Sequence, residues 1–172
     1  MKIIDIFANE FPGHLYAVVW DEINSFDSVM NNWTSVSFLR GFAKDNKILD
    51  IYAFIQKITK EVASIDDLFI RYIKDKGNID HYFRPLSNSE YLDKVLSLQK
   101  GKINTQMLRI YAIKIESNCY IITGGAIKLT RTMQEHRDTL IELQKLNKLK
   151  NFLIYEGILD KDSIEEYVLD ID

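Results

Sequence analysis

Two short apolar segments near the centre of the chain constrain its fold more than any other feature. Residues 107–115 read MLRIYAIKI and residues 119–123 read CYIIT. Short runs of β-branched and aromatic residues are typical of strands, and the Glu-Ser-Asn sequence at 116–118 supplies turn residues. The pattern predicts a tight antiparallel hairpin. The paired glycines at 124–125 allow a bulge or a close backbone approach, and residues 126–130 either extend the second strand or form another short one.

The N-terminal segment predicts a second hairpin, followed by helices. Two apolar runs, at 3–7 and 14–20, flank a Pro-Gly turn signal, which is the simplest pattern for two paired strands. Over residues 24–42 the period changes, and the apolar residues recur at the spacing of two short helices.

A longer apolar stripe follows at the i, i+3, i+4, i+7 spacing of a helix and covers residues 48–62. Ser64 and Asp67 then have the spacing of a capping signal. We therefore expect a further helix to begin near Ser64 and to end near Gly77.

The stretch between these helices and the central strands is less regular. Residues 81–86 are expected to be extended, because Pro85 biases Arg84 away from helical geometry. Residues 87–106 are polar and irregular, and we expect a loop there, with a short helical turn around 92–98.

The C-terminal part predicts a long helix and a short one. Thr132 and Glu135 have capping-box spacing, Gly157 is placed to end the long helix, and Asp162 opens a last acidic helix. The long helix is expected to have one apolar face made of Leu140, Leu143, Leu146, Leu149 and Leu153.

The order of these elements predicts an α+β fold, in which a small antiparallel sheet is packed by helices. The 172 residues are the usual size of one domain. We expect a β-hairpin with a helical extension over 1–80, a core over 81–157 and an acidic C-terminal helix over 158–172.

Composition excludes several classes of function. Cys119 is the only cysteine and lies in an apolar run, so we expect a buried thiol, no disulfide within the chain and no cysteine-based zinc site. The three histidines are far apart and form no metal-binding motif. The N-terminus does not resemble a signal peptide, and no stretch reaches the about 20 apolar residues of a membrane span, so a soluble cytoplasmic protein is expected.

The charge is unevenly distributed along the chain. The net charge is −3 overall, but residues 84–137 carry nine basic and four acidic side chains, whereas residues 138–172 carry four basic and nine acidic ones. Local charge governs where an anionic partner docks. The basic middle segment is therefore the candidate binding region.

One set of residues in this segment could carry chemistry. Arg109 lies in the first central strand, Lys128 and Arg131 follow the paired glycines, and Arg84 precedes the loop. If the two central strands pair through their turn, their far ends meet, and Arg109 comes near residues 124–131. Converging cations suit an anion, and guanidinium groups bind phosphate through fixed, bidentate donors.

The segments FRPL at 83–86, LRIYAIKI at 108–115 and CYIITGGAIKLTRTM at 119–133, with the helix to about Gly157, carry a family resemblance. This arrangement resembles the RelE/ParE superfamily of toxins, and within it the HigB and phage Gp49-like proteins. The resemblance covers about residues 80–157. It implies a RelE-like core and ribosome-dependent cleavage of mRNA, which a cognate antitoxin protein neutralises.

The resemblance also implies roles for individual residues. By position, Arg109 matches the family's catalytic arginine, and Lys128 and Arg131 match its basic residues after the last strand, which would hold the scissile phosphate. Tyr111 or His136 would assist by stacking or by proton transfer. The expected partners are the antitoxin, the ribosome and mRNA, with no cofactor and no membrane. Contacts with RNA are expected from Arg84, Lys102, Lys114, Tyr111 and His136.

Two alternatives remain open. The first is a non-catalytic binding module with a toxin-like fold, in phage defence or regulation, whose arginines would pair with acids such as Glu116 or Glu135. The second is a gyrase-directed ParE-like toxin, which would act on DNA replication. The mRNA endonuclease predicts instead that Arg109 and Arg131 are exposed and close together in a groove.

Overall fold

The structure is a computed structural model that describes residues 1–86, 98–129 and 137–171. Within these ranges the chain forms seven strands, five α-helices and one 3₁₀ turn. The strands form one mostly antiparallel sheet, and helices pack on both of its faces. The predicted α+β class is therefore confirmed.

The strands follow one another along the chain in a different order from that in the sheet. They are β1 (Lys2–Asp5), β2 (Leu15–Trp20), β3 (Ile23–Asn24), β4 (Arg84–Pro85), β5 (Gln99–Asn104), β6 (Leu108–Glu116) and β7 (Cys119–Ile127). The sheet order is β1-β2-β7-β6-β5-β4, and β3 pairs with β2. Both predicted hairpins, β1–β2 and β6–β7, are present and antiparallel, whereas β2 and β7 run parallel to each other.

The helices begin at capping residues that the sequence supplies. They are α1 (Ser25–Thr34), α2 (Val36–Asp45), α3 (Ile51–Asp75), α4 (Arg137–Glu156) and α5 (Lys161–Ile171), and the 3₁₀ turn covers Ile79–His81. The side chains of Asn24, Ser35 and Asp50 each accept a backbone N–H in the first turn of α1, α2 and α3, respectively. None of the helices in the described ranges is long and apolar enough to cross a membrane.

The sheet separates two hydrophobic cores. The first core lies between the sheet and helices α1, α2 and α3, and the second lies against α4 and α5. Strand β6 serves both, since its successive side chains alternate between faces. Leu108, Ile110 and Ala112 belong to the first core, whereas Tyr111, Ile113 and Ile115 belong to the second.

A bulge interrupts the β6–β7 pairing next to the paired glycines, as the sequence suggested. Tyr111 lies opposite Gly124 and Ala112 lies opposite Ile122, so Thr123 is the extra residue. The Thr123 hydroxyl donates to the Tyr111 carbonyl, and the indole N–H of Trp20 donates to the Thr123 carbonyl at 2.8 Å. The carbonyl and the hydroxyl of the extra residue are thus both hydrogen-bonded.

Two predictions about the middle of the chain are wrong. Residues 99–104 form strand β5 rather than a loop, because the strand pairs with β6 from Gln99 to Asn104. Ser64 does not begin a helix, because α3 continues through it and buries Ile65, Phe69 and Tyr72 beyond it. The Ser64 hydroxyl donates to the Lys60 carbonyl inside this helix. The predicted helical turn around 92–98 falls almost entirely outside the described residues.

The predicted face of α4 is partly wrong. Leu146, Leu149 and Leu153 are buried, but Leu140 is 38% exposed and Leu143 only half-buried. Thr139 and Glu142 occupy the buried face instead. The predicted capping pair, Thr132 and Glu135, lies outside the described residues.

Candidate functional site

The strand register brings the predicted arginine of β6 beside the end of β7. Arg109 lies opposite Ala126 on one side and opposite Asn104 of β5 on the other. Its side chain emerges from the same face of β6 as that of Tyr111, the face that packs against α4. The expected proximity of Arg109 to the segment after the glycines is therefore present.

The guanidinium of Arg109 is half-buried and held by backbone carbonyls. Its Nη1 donates to the carbonyl of Thr105 at 2.6 Å and to that of Leu108 at 2.8 Å. Its remaining N–H groups have no hydrogen-bond partner among the described residues, and Nε is fully buried. Burial lowers the pKa of Arg109, against the smaller opposing effects of Tyr111 and Glu61. The guanidinium is thus fixed in place with donors to spare.

Two lysines share the electrostatic field of Arg109. Lys102 of β5 is half-buried, and its pKa is lowered first by burial, then by the positive charges of Lys128 and Arg109. Lys128 directly follows β7, and its backbone N–H donates to the Met107 carbonyl at 2.7 Å. We call Lys102, Arg109 and Lys128 the cationic cluster. Cations that repel one another at one end of a sheet are stabilised when an anion binds between them.

Tyr111 lies between this cluster and a carboxylate of α4. It is buried, and burial raises the pKa of its hydroxyl to about 12, with Arg109 lowering and Glu142 raising it. Glu142 is itself 5% exposed, and burial raises the pKa of its carboxyl to about 7. Tyr111 therefore stays protonated near neutral pH, and a stacking role would require its ring to become accessible.

The other two predicted cations in the described residues have different surroundings. Arg84 is exposed and lies opposite Lys102 in the β4–β5 pair, at the edge of the cationic cluster. Lys114 forms an ion pair with Asp80 at 3.0 Å and lies over the ring of Tyr120, which belongs to the first core. Lys114 is thus on the opposite side of the sheet from Arg109.

Two predicted site residues, Arg131 and His136, lie outside the described residues, as does Glu135. Glu116, the other acid proposed as an arginine partner, accepts the backbone N–H of Lys161 at 3.2 Å. Arg109 forms no ion pair with a carboxylate of the described residues.

Sequence reasoning overlooked two carboxylates near this site, the half-buried Glu61 and the buried Glu142. One oxygen of Glu61, on α3, accepts the hydroxyl of Thr105 and the N–H groups of Met107 (2.9 Å) and Leu108 (3.1 Å), so it fixes the β5–β6 turn that holds Arg109. Glu142 packs over Gly124, where an added Cβ would overlap its Oε2.

A signal for both carboxylates was present in the sequence. Glu142 continues the 3–4 spacing of Leu146, Leu149 and Leu153 toward the N-terminus, and Glu61 flanks the stripe of α3 between Ile58 and Ile65. A charged residue at a position where the period requires burial indicates a specific partner or site.

Cys119 offers no nucleophile. It is fully buried in the second core, as expected, and burial raises the pKa of its thiol to about 12. A thiol that stays protonated at neutral pH neither attacks a substrate nor binds a metal. No group of three or more His, Cys, Asp or Glu residues in the described ranges is arranged to hold a metal ion.

Comparison with known proteins adds no relative to this description. No protein-family model, no curated protein and no solved structure matches the chain. The function is therefore argued from the residues of the site.

Proposed function

We propose that this chain is the toxin of a type II toxin-antitoxin system and cleaves mRNA on the ribosome. The observation that carries the proposal is the cationic cluster, in which the positive charges of Arg109 and Lys128 both act on half-buried Lys102. The cluster stands at one end of the β5–β6–β7 meander, and the order of β6, β7 and a long helix within it is the order that the RelE-like resemblance implies. A phosphate of RNA is the anion that such a cluster suits.

The proposed division of labour follows from the contacts. Arg109 is the phosphate-binding and charge-stabilising group, because two backbone carbonyls fix its guanidinium and leave other donors for a ligand. Lys102 and Lys128, with Arg131, add positive charge around the phosphate. Arg84 extends the basic surface along the sheet edge. Attack by the 2′-hydroxyl of the RNA on its own phosphate requires a positioned acid, base and charge, and no cofactor.

The biological setting is part of the same proposal. The enzyme works in the cytoplasm, where it meets ribosomes and mRNA, and a cognate antitoxin covers the cationic cluster until it is degraded. Lys114 is assigned a structural rather than an RNA-binding role, because Asp80 already pairs with it on the opposite side of the sheet.

The first test is expression of wild type and of an Arg109→Ala/Arg131→Ala variant from a tightly repressed promoter, with growth and pulse-labelled protein synthesis as readouts. Lys60→Ala, an exposed lysine of α3, is the matched control for loss of a positive charge. We expect wild type and the control to stop translation, and the double variant to lose at least about 10²-fold in cleavage rate while it stays folded at the growth temperature.

Other outcomes redirect the proposal. Arrest of DNA synthesis before translation would favour the gyrase-directed toxin. If folded wild type leaves growth unchanged, the non-catalytic binding module is favoured. One observation supports that alternative: Arg109 donates to the Thr105 and Leu108 carbonyls and so has a structural role in closing the β5–β6 turn.

A further inference from the structure

A cavity lies between α4 and the helices α1 and α2, beside the end of β7 that leads to Lys128 of the cationic cluster. It has a volume of about 490 Å³, and its floor is the end of β7 at Gly125, Ala126 and Ile127. One wall carries Trp33, Phe38, Phe42 and Asp45 of α1 and α2, and the other carries Asp138, Ile141 and Glu142 of α4. We call this cavity the β7 groove.

The floor of the β7 groove is an edge of the sheet. Pairing between β2 and β7 ends at Ala17 and Ile122, and beyond this point no described strand pairs with β7 on that side. The Ser25 hydroxyl donates to the Ile122 carbonyl, and the Trp20 indole N–H donates to the Thr123 carbonyl. These two bonds satisfy the edge of β7 only as far as the bulge at Thr123.

The direction of the remaining backbone groups follows from the ladder. Lys128 bonds toward β6 through its N–H, and in an antiparallel pair every second residue does so. The N–H and C=O groups of Gly125 and Ile127 therefore point away from β6, toward the groove. Such an edge is a template for an added strand.

A buried carboxylate stands beside this edge with half of its hydrogen-bonding capacity unused. Glu142 is 5% exposed, and its Oε1 accepts from Lys145 at 2.7 Å. Its Oε2 is buried and has no hydrogen-bond partner among the described residues. An unsatisfied buried oxygen costs about 1–3 kcal/mol, so its retention at the groove wall points to a donor that a ligand supplies.

The charge and the apolar surface of the lining specify the occupant. Both walls carry acid, Asp138 and Glu142 on α4 and Asp45 on α2, and Trp33 and Phe42 add apolar surface on the α1–α2 side. Among the described residues that line the groove there is no Lys, Arg or His. Phe38 (38% exposed) and Ile141 (40% exposed) add apolar surface at the mouth. Because side chains of a strand alternate between faces, an added strand would place every second residue against each wall.

We propose that the β7 groove binds an extended peptide segment in which basic and apolar residues alternate. Its backbone extends the sheet beyond Ile127 and Gly125, a lysine or arginine faces Glu142, and its apolar residues face Trp33 and Phe38. This binding activity is separate from RNA cleavage, because the peptide lies along the edge of β7 that faces away from β6, whereas Arg109 lies on β6 itself.

The probe is the pentapeptide Val-Lys-Val-Lys-Val-amide with a fluorescein attached to its N-terminus through a glycine spacer; the full chain is titrated into it and binding is followed by fluorescence anisotropy. Two isomers carry N-methyl groups on alternate sets of backbone amides, so that each loses the donors of one edge of the peptide strand. We expect one isomer to bind at least about tenfold more weakly and the other to bind like the parent. Protection of the Gly125 and Ile127 amides from hydrogen exchange gives a readout at the edge itself.

Variants of α4 test the recognition of the basic residue. Glu142→Gln is expected to lower the affinity for the parent peptide about tenfold. Glu156→Gln, a change at an exposed position of the same helix, should leave that affinity unchanged. A Val-Glu-Val-Glu-Val peptide is expected to bind wild type at least about tenfold more weakly than the lysine peptide. Because this comparison uses the wild-type chain, it does not depend on how the Glu142→Gln variant folds.

Three results would overturn the proposal. Equal binding of both methylated isomers would exclude strand addition. If N-acetyl-lysine amide at the same concentration as the peptide displaces it fully, the groove is a binding pocket for small cations and not for a peptide strand. Binding without added protection of Gly125 and Ile127 would place the peptide elsewhere.

Discussion

At the scale of single residues, Glu142 is a buried carboxyl group whose environment changes its protonation near neutral pH. Burial raises the pKa of its carboxyl from 4.5 to about 7, against the lowering effect of Lys145 and with a further rise from Asp138. The same carboxyl group also raises the pKa of Tyr111 on strand β6. The folded chain therefore holds this proton more tightly than the unfolded chain does.

The sign of the resulting pH dependence follows directly. The contribution of Glu142 to folding is greatest below about pH 4.5 and falls as the pH rises to about 7, by about 3 kcal/mol in total. Glu142→Gln mimics the protonated carboxyl. We expect the unfolding free energy of this variant, relative to wild type, to increase by about 3 kcal/mol between pH 4.5 and pH 8 in urea denaturation. A difference that does not change with pH would mean that the Glu142 carboxyl has the same pKa in the folded and the unfolded chain.

Gly125 illustrates a close approach that only glycine permits. An added Cβ would lie 2.7 Å from the Arg109 carbonyl oxygen and 2.9 Å from Cη2 of Trp33. Gly125→Ala should therefore lower the unfolding free energy by about 1–3 kcal/mol, because backbone and a buried indole must move. Gly41→Ala in α2 meets nothing within 4 Å and should raise it by about 0.5–1 kcal/mol. Chemical denaturation measures the unfolding free energy of both variants. Equal changes in that free energy for Gly125→Ala and Gly41→Ala would contradict the packing argument.

At the scale of elements, the sequence predicted best where an element carries its own signal. The two hairpins and the bulge follow from apolar runs and turn residues, and their register placed Arg109 opposite the end of β7. Strand β5 has no such signal, because Gln99, Lys100 and Gly101 depend on pairing with β6 for their extended form. Lys102, which joins the cationic cluster through β5, could therefore not be placed beside Arg109 from the sequence.

The β5–β6 turn depends on a side chain from a distant helix. Glu61 of α3 accepts the N–H groups of Met107 and Leu108 and the hydroxyl of Thr105. Glu61→Ala leaves these donors unpaired and should destabilise the chain by about 1–3 kcal/mol. The local signature is faster hydrogen exchange at the Met107 amide. The control is Asp67→Ala, an exposed change on the same helix. Unchanged exchange at Met107 would show that the turn holds without the carboxylate.

At the scale of the whole molecule, the N-terminal segment is part of the sheet rather than an attachment to it. Strand β2 pairs with β7, and α1, α2 and α3 cover the face of the meander that carries Leu108, Ile110 and Ile122. The resemblance over residues 80–157 drew attention to the meander alone. Nothing in the short segment 14–20 specifies a parallel partner about 100 residues later, because pairing between distant strands depends on the closure of the whole core.

This dependence predicts that residues 81–172 do not fold alone. Without residues 1–80, β7 loses its neighbour and one face of the sheet loses its cover, so the apolar side chains of the first core meet water. We expect the isolated fragment to melt without a cooperative transition in circular dichroism and to bind a hydrophobic dye. The full chain, measured beside it, should show one sharp transition.

Adding separately expressed residues 1–80 to the fragment distinguishes a missing partner from a damaged core. Recovery of a cooperative transition on mixing is expected, because strand β2 and the covering helices then return to the same surface. A fragment that melts cooperatively by itself would contradict the argument. It would show that α4 and α5 stabilise the meander from one side, and that the first core adds stability without specifying the fold.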